Sequence, residues 1–504
     1  MATVEAHRVR AGRGTELGLL VLALAIAIAA YALVGLGATD ELPADVVGYG
    51  AGMAGLALVV HLVLRWRAPY ADPVILPVVI ALNGIGLAMI YRIDLAREAR
   101  GGTEMFAGKQ LALSAVSVVL ACVVLIVLRD HRTLRRYTYT AMVVALALIA
   151  LPLVPGLGVQ INGANIWIRV AGFSLQPAEL AKIALAVFFA GYLVTNRDTL
   201  ALAGPKVLGL QLPRLRDLGP IAVVWAASIA VLVLQSDLGT SLLLFGLFVA
   251  MLYVATERLS WILIGLAMFA GGVVVATASF GHVAARFHIW QHALDQEVFD
   301  RHPGGSGQLV RGLFGLASGG LFGTGWGQGR PDLVPFAESD FIVASLGEEL
   351  GLTGLMAILV MYLVLCQRGL RTAIGVRDGF GKLLTAGLAF VIAFQCFVVV
   401  GGITRIIPLT GLTMPFLAYG GSSLLANWII AALMLRVSDD ARRPAPEPGG
   451  DLLHTPSGGI PLDADARNPV AVAGPAEARR PREPRPGDDQ PTERLRRTSG
   501  GGAS

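Results

Sequence analysis

The sequence predicts an all-α polytopic membrane protein, a bundle of about twelve transmembrane helices. Three observations predict it. The 504 residues are 55% hydrophobic and 15% charged, whereas soluble domains carry about a quarter charged residues. Apolar runs of about 20 residues, the length that crosses a bilayer as a helix, recur down the chain. The runs are continuous rather than alternating, which excludes a β-barrel, the other fold that satisfies its backbone in lipid.

Taken in order, residues 1–16 carry His7, Arg8, Arg10 and Arg13 and read as a cytoplasmic N-terminus. The run at 17–37 is too long for a signal-peptide core and reads as a retained helix. Further spans are expected near 47–65, 73–91, 108–128, 138–157, 179–195, 219–235, 238–255, 261–279, 342–366, 383–402 and 411–436. Lys and Arg cluster around 65–67, 129–136, 197–216, 258, 368–382 and beyond 436. With twelve spans these all fall on one side, which the positive-inside rule makes the cytoplasm, with both termini there. The opposite side receives 39–45, the loop at 158–178, the long segment 280–341 and 404–410. From 437 the chain turns to Pro, Gly and charge, which reads as a disordered cytoplasmic tail to 504.

Composition also excludes several classes. Cys122, Cys366 and Cys396 sit in apolar runs, without disulfide or metal spacing. The net charge of +5 reflects loops at one membrane face, not a nucleic-acid surface. No phosphate-binding glycine loop lies between a strand and a helix, and no cofactor motif is evident.

Ionisable residues concentrate in a few places. Gln176-Pro177-Ala178-Glu179-Leu180-Ala181-Lys182 opens a span. Pro177 suits the first helical turn and Glu179 the positive end of the helix dipole. Glu179 and Lys182, three apart, can pair on one face, either as a structural ion pair or as part of a headgroup site. Asp237, between two spans, is placed to cap the next helix. Asp340 is likewise expected to be an N-cap. Glu348 and Glu349 fall inside the same span, so at least one must face a cavity or a cation. Pro415 and Gly420-Gly421 should break or kink the last span, either to line a path or only to pack. In the long segment, Asp295 and Asp300 are the free carboxylates nearest the glycine-rich stretch. Either could be a general base, or simply solvated.

At these residues the chain resembles the SEDS family, which includes FtsW, RodA and SpoVE. The resemblance is carried by Trp167 with 176–182, by Asp237-Leu238-Gly239-Thr240, by 319–325, by 340–351, and by 408–411, Pro415-Phe416 and 419–423. It covers about 73–436, which would make residues 17–72 two extra N-terminal helices on a ten-helix core. Arg405-Ile406-Ile407-Pro408 and Asn427 look most like actinobacterial RodA-type members.

The resemblance implies a peptidoglycan glycosyltransferase that polymerises lipid II into glycan strands at the outer face of the cytoplasmic membrane, for elongation, division or sporulation. It implies a catalytic Asp in the long segment. Counting from the glycines favours Asp300, and counting from Trp290 favours Asp295. The family's Asp-Pro and Gly-x-Gly-Tyr-Gln patterns are not matched in full here. It implies a substrate-binding set of Trp167, Gln176, Glu179, Lys182, Arg286, Gln308, Asp340, Glu349, Arg405, Pro415, Tyr419, Ser422 and Ser423. Lys182, Arg286 and Arg405 are the candidates to face a leaving pyrophosphate, and a divalent ion, magnesium or manganese, could assist. The implied partners are lipid II, the nascent strand and a class B penicillin-binding transpeptidase. The competing readings are a lipid II flippase and a scaffold without activity.

Overall fold

A computed structural model of the chain describes residues 12–161, 164–170, 173–201, 235–301 and 304–444, with scattered positions between 206 and 233. The chain divides into residues 1–444 and 445–504, and only the first unit is described. The N-terminal 1–11, the expected tail beyond 444 and most of the span expected at 219–235 therefore lie outside the described residues.

Among the described residues, ten helices are long and apolar enough to cross a membrane. They are α1 (Arg13–Thr39), α2 (Val46–Arg67), α3 (Ile75–Glu98), α4 (Ala107–Val127), α6 (Pro177–Ala201), α7 (Leu238–Thr256), α8 (Ser260–Ser279), α11 (Ile342–Gly375), α12 (Gly379–Ile403) and α13 (Gly421–Arg442). Between them lie the shorter α5 (Thr138–Ala150), α9 (Gly281–Gln291) and α10 (Gly307–Gly319). The central helices α3, α6, α12 and α13 are mostly buried in protein, whereas α8 is almost wholly exposed along its apolar length. A helix apolar all round needs either protein or lipid on every side. Together these features make the chain a multi-pass helical membrane protein.

Local chemistry fixes the helix ends. Asp237 caps α7, accepting from the Thr240 amide at 2.9 Å, as its spacing predicts. Asp378 caps α12 in the same way, accepting from the Gly381 amide at 2.7 Å. The three cysteines are free, as expected.

The polarity of the bundle follows from cross-links. Arg13 donates to the carbonyls of Ala68 and Ala71, and the Tyr70 amide donates to Asp439, so the two ends of the described chain share one face. At the opposite face, the end of α1 meets the long segment, where Gln328 donates to the Gly37 carbonyl.

Four expectations need correction. The stretch 158–178 is not simply a loop. It holds a three-stranded antiparallel sheet of β1 (Gly158–Ile161), β2 (Ala164–Val170) and β3 (Phe173–Leu175), with Val159 opposite Trp167 and Ile168 opposite Leu175. The long segment 280–341 is not irregular chain, because α9 and α10 occupy much of it. Asp340 does not cap α11. The N-cap position is Phe341, and the Asp340 carboxylate takes a bond from the Ser339 hydroxyl instead, at 2.9 Å. The last span does not begin at 411: residues 404–420 are non-helical, and α13 starts at Gly421.

Helix α11 is itself two helices. At Gly351 the backbone takes φ 65°, ψ −172°, a region open essentially to glycine alone. The hydrogen bonds freed by the break are taken by the glycine-rich turn beside it. The amides of Thr324 and Gly325 donate to the carbonyls of Glu348 and Glu349 at 3.0 and 2.9 Å. The amides of Leu352 and Thr353 donate to Gly320 and Leu321 at 2.9 and 3.0 Å. A broken span is tolerated in lipid only where protein re-satisfies its backbone, and here the turn 320–325 does so.

Candidate active site

The site is built where the ends of α6, α7, α12 and α13 meet α9 and the 404–420 turn. Pro177 starts α6, so Glu179 and Lys182 share a face one turn in. The Lys182 ammonium donates to Glu179 at 2.5 Å and to Gln395 of α12 at 2.9 Å. Gln395 in turn donates to the Thr413 carbonyl at 2.8 Å, anchoring the non-helical turn. Lys182 and Glu179 are both buried. The Gln176 amide donates to Ser422 Oγ at 2.8 Å, and its side chain reaches Asp237 at 3.3 Å.

Arg286 of α9 faces this group. One of its nitrogens donates to the carbonyls of Leu409 and Thr410 at 3.3 and 3.2 Å. Burial lowers its pKa, opposed by the nearby carboxylates of Asp237 and Asp340. Burial raises the pKa of Asp237, against the pull of Thr240 and Arg286. Burial also lifts Asp340 to about 6. The structure thus gathers Gln176, Glu179, Lys182, Asp237, Arg286, Asp340 and Ser422 into one polar region.

Other expected residues stand apart from it or serve the backbone. Arg405 donates to the Trp290 and Gln291 carbonyls, each at 2.8 Å, and the Trp290 indole donates back to the Arg405 carbonyl at 3.0 Å. This reciprocal lock docks α9 on the turn. Pro415 accepts from the Tyr362 hydroxyl, and the Tyr419 amide donates to the Glu338 carbonyl at 2.7 Å. Ser423 accepts from Asn427 within α13 at 3.2 Å. Gln308, on α10, donates to the Pro335 carbonyl at 3.4 Å. Trp167 stands on β2, partly buried.

Glu349 meets the requirement for a cation. It accepts from Arg92 of α3 at 2.7 Å and from the amides of Gly327 and Gly329 at 2.9 and 3.3 Å, while Glu348 accepts from the Arg330 amide at 2.9 Å. These two carboxylates hold the glycine-rich turn. Arg92 and Gln395 are absent from the sequence-derived set. Their signal was available, since each is a strongly polar side chain within a span-length helix.

Asp295 and Asp300 differ from all of these. Both are exposed, at either end of the single helical turn Gln296–Phe299. Asp300 accepts from the Gln296 amide side chain at 2.7 Å. Pro303, the proline that follows Asp300 in the sequence, lies outside the described residues.

For a divalent ion, the donor set is informative. Among the described residues, one group of three potential ligands lies within 4.8 Å of one another: His131, Asp378 and Asp440. It sits at the termini face, away from this region, and Arg132 already bridges its two carboxylates at 3.5 and 3.1 Å. Among the described residues the candidate site gathers no such set.

A profile of the FtsW/RodA/SpoVE family, described as "Cell cycle protein", matches residues 73–443. The chain is 48% identical to peptidoglycan glycosyltransferase RodA of Mycobacterium tuberculosis over 435 residues, covering 86% of this chain and 92% of the relative. It is 33% identical to stage V sporulation protein E of Bacillus subtilis, over 74% of this chain and 98% of that one. A solved chain from a peptidoglycan synthase complex that coordinates polymerization and crosslinking superposes with a TM-score of 0.52 at 25% identity, over 79% of this chain and 98% of that chain. The apolar runs, the Gln176–Lys182 opening of α6, the broken α11 and these matches agree: the chain belongs to the SEDS family of FtsW, RodA and SpoVE.

Proposed function

We propose that this chain is a peptidoglycan glycosyltransferase that polymerises lipid II at the outer face of the cytoplasmic membrane, with the 281–341 face outward and both termini inside. Asp300 is the general base. Its carboxylate takes the proton of an acceptor sugar hydroxyl as that oxygen attacks the donor's anomeric carbon. The new glycosidic C–O bond forms as the bond to the lipid pyrophosphate breaks, and the pyrophosphate leaves with the electron pair. Arg286, close to the buried acids and with donors to spare, supplies positive charge toward that leaving group. Lys182 and Glu179 hold α6 against α12 behind it.

The observation that carries this reading is a contrast in partnering. Glu179, Asp237, Glu348 and Glu349 are buried and committed to a cation or to backbone amides. Asp295 and Asp300 are exposed, on the segment that faces away from the termini. A carboxylate must be accessible to meet a sugar hydroxyl. The relatives' names support the activity, and the solved synthase complex supports a transpeptidase partner, which we take to be a class B penicillin-binding protein.

Polymerisation of fluorescent lipid II by the purified protein, with and without that partner, tests it. Asp300→Asn should lose roughly 10²–10⁴-fold in rate, with thermal stability unchanged, while Asp295→Asn keeps most activity. The reverse pattern would move the base to Asp295. Full activity in both variants would overturn the mechanism.

A further inference from the structure

A second polar region lies at the same face of the bundle, between the extra helix α1, the end of α3 and the turn 327–332. It is a cavity of about 590 Å³, walled by Ala38 and Thr39 of α1, Arg100 after α3, and Arg330 and Asp332 of the turn, with Arg92 at its base. An adjoining cavity of about 310 Å³ shares Arg100 and Asp332 and adds Arg97 and Thr103. The combined volume suits a small ligand.

The charge arrangement is specific. Arg92 and Arg97 each have a carboxylate of their own, Glu349 at 2.7 Å and Glu338 at 2.6 Å. Arg100 and Arg330 do not. Both pair with the same buried carboxylate, Asp332, whose side chain is 6% exposed, while theirs are 49% and 63% exposed. One carboxylate therefore holds two guanidinium groups that line the cavity, and each has more N–H donors than Asp332 takes. Glu98 also lines the larger cavity and Glu104 the smaller, so the two guanidinium groups act against two further carboxylates. The carbonyl end of α3 does not oppose an anion here, because the Arg97 and Glu98 carbonyls accept from the amides of Gly102 and Gly101 at 2.9 and 2.8 Å. Two guanidinium groups tied to one carboxylate line the cavity, and a guanidinium fork matches the oxygens of a phosphate.

We infer that this cavity binds a phosphate oxyanion, held between Arg100 and Arg330. It is distinct from the Lys182–Arg286 region and needs α1 for one wall. Both α1 and α3 end here, where their apolar spans finish, so the phosphate can come from a lipid headgroup or from solution. A ligand bound here would fasten the extra helix to the turn that Glu349 holds.

The test uses the full chain in phosphatidylcholine nanodiscs, with inorganic pyrophosphate as the probe and its binding followed by thermal shift and phosphorus resonance broadening. Saturable binding is expected. Arg100→Lys with Arg330→Lys keeps Asp332 neutralised but loses both forks, and should weaken binding about tenfold, roughly 1.4 kcal/mol. Ala38→Trp fills the cavity without touching a charge and should weaken it similarly. Arg311→Lys, on the exposed face of α10, should leave it unchanged, as should Arg286→Gln, which removes the cation placed toward the leaving pyrophosphate and so separates this site from the proposed catalytic one. Replacing part of the phosphatidylcholine by phosphatidylglycerol then identifies the source. Competition with pyrophosphate in the parent chain that disappears in Ala38→Trp assigns the site to lipid headgroups, and no competition assigns it to soluble phosphate. No saturable binding, or binding that survives both cavity variants, would overturn the inference.

Discussion

The buried polar region around Lys182 and the exposed turn around Asp300 lie at the same end of the bundle and treat charge in opposite ways. Around Lys182 the charged groups are buried or partly buried, and the most buried have each acquired a partner: ammonium to carboxylate for Lys182 and Glu179, carboxylate to amide for Asp237. Leaving any of them alone would cost several kcal/mol. Around Asp300 water does that work, and the carboxylates are almost uncommitted. The difference teaches which charges hold the scaffold and which are free to react. Polar residues forced into apolar surroundings must be satisfied before they can do anything else. A base on a hydrated turn carries no such debt.

The strongest way to break this comparison is to strip a partner from the buried side. Lys182→Met leaves Glu179 buried without its cation, and should destabilise the protein by about 3–5 kcal/mol, read as a large fall in the thermal midpoint in detergent. The double change Glu179→Met with Lys182→Met should recover most of that loss, because no lone charge remains. Equal stability of the single variant and the parent would show that the pair is not desolvated as the structure has it.

A second test addresses the break in α11. Gly351→Ala must accept φ 65° and place a methyl against the Gly323 amide. Strain alone should cost about 1–3 kcal/mol, and relieving it would pull the turn 320–325 from Glu348 and Glu349. Protection of the Thr324 and Gly325 amides in hydrogen exchange should fall with it. Unchanged protection would mean that the turn is held by something other than the break.

How much of this was legible depends on the length scale of the signal. Spans of about 20 apolar residues cannot be missed, and the Asp237 cap and the Glu179–Lys182 pair follow from spacing within one element. The sheet at 158–175 was missed because strands of three to seven residues give too few alternations to read. Helix α10 was missed because Gly307, Gly312, Gly315 and Gly319 argue against a helix by propensity. In the fold three of them, Gly312, Gly315 and Gly319, let it approach the first half of α11, where Gly312 abuts Phe341 and Gly319 abuts the Gly347 carbonyl. Arg92 meets Glu349 across 257 positions of sequence, a pairing no local pattern encodes. For the site, sequence supplied the candidates, and the structure separated committed from uncommitted carboxylates.

A smaller effect probes the edge of the buried region. Asp237→Ala removes the cap of α7 and should cost about 1 kcal/mol, while Asp237→Asn, which can still accept from the Thr240 amide, should cost less. The cost stays modest because the same change also removes a carboxylate that burial disfavours. A loss as large as that of Lys182→Met would place Asp237 among the partners of the buried ion pair rather than at its margin.

The finest division between the two regions is Asp340, partly buried and close to Arg286 without a hydrogen bond to it. Its folded pKa of about 6 lies above the ordinary value of 3.8. Between those values the folded chain holds more protons than the unfolded chain, so this group's contribution to stability falls as pH rises. The contribution is complete below the unfolded value and is lost as pH passes through about 6; above that the ionised carboxylate is a constant cost. The parent chain should therefore lose thermal stability between about pH 4 and pH 6 relative to Asp340→Asn, whose curve is flatter because the amide does not titrate. Removing the nearby positive charge with Arg286→Gln should carry the loss on to higher pH, since less then opposes the burial that raises the acid. Parallel curves for the parent and Asp340→Asn would place Asp340 with Asp300, as a carboxylate that water already solvates.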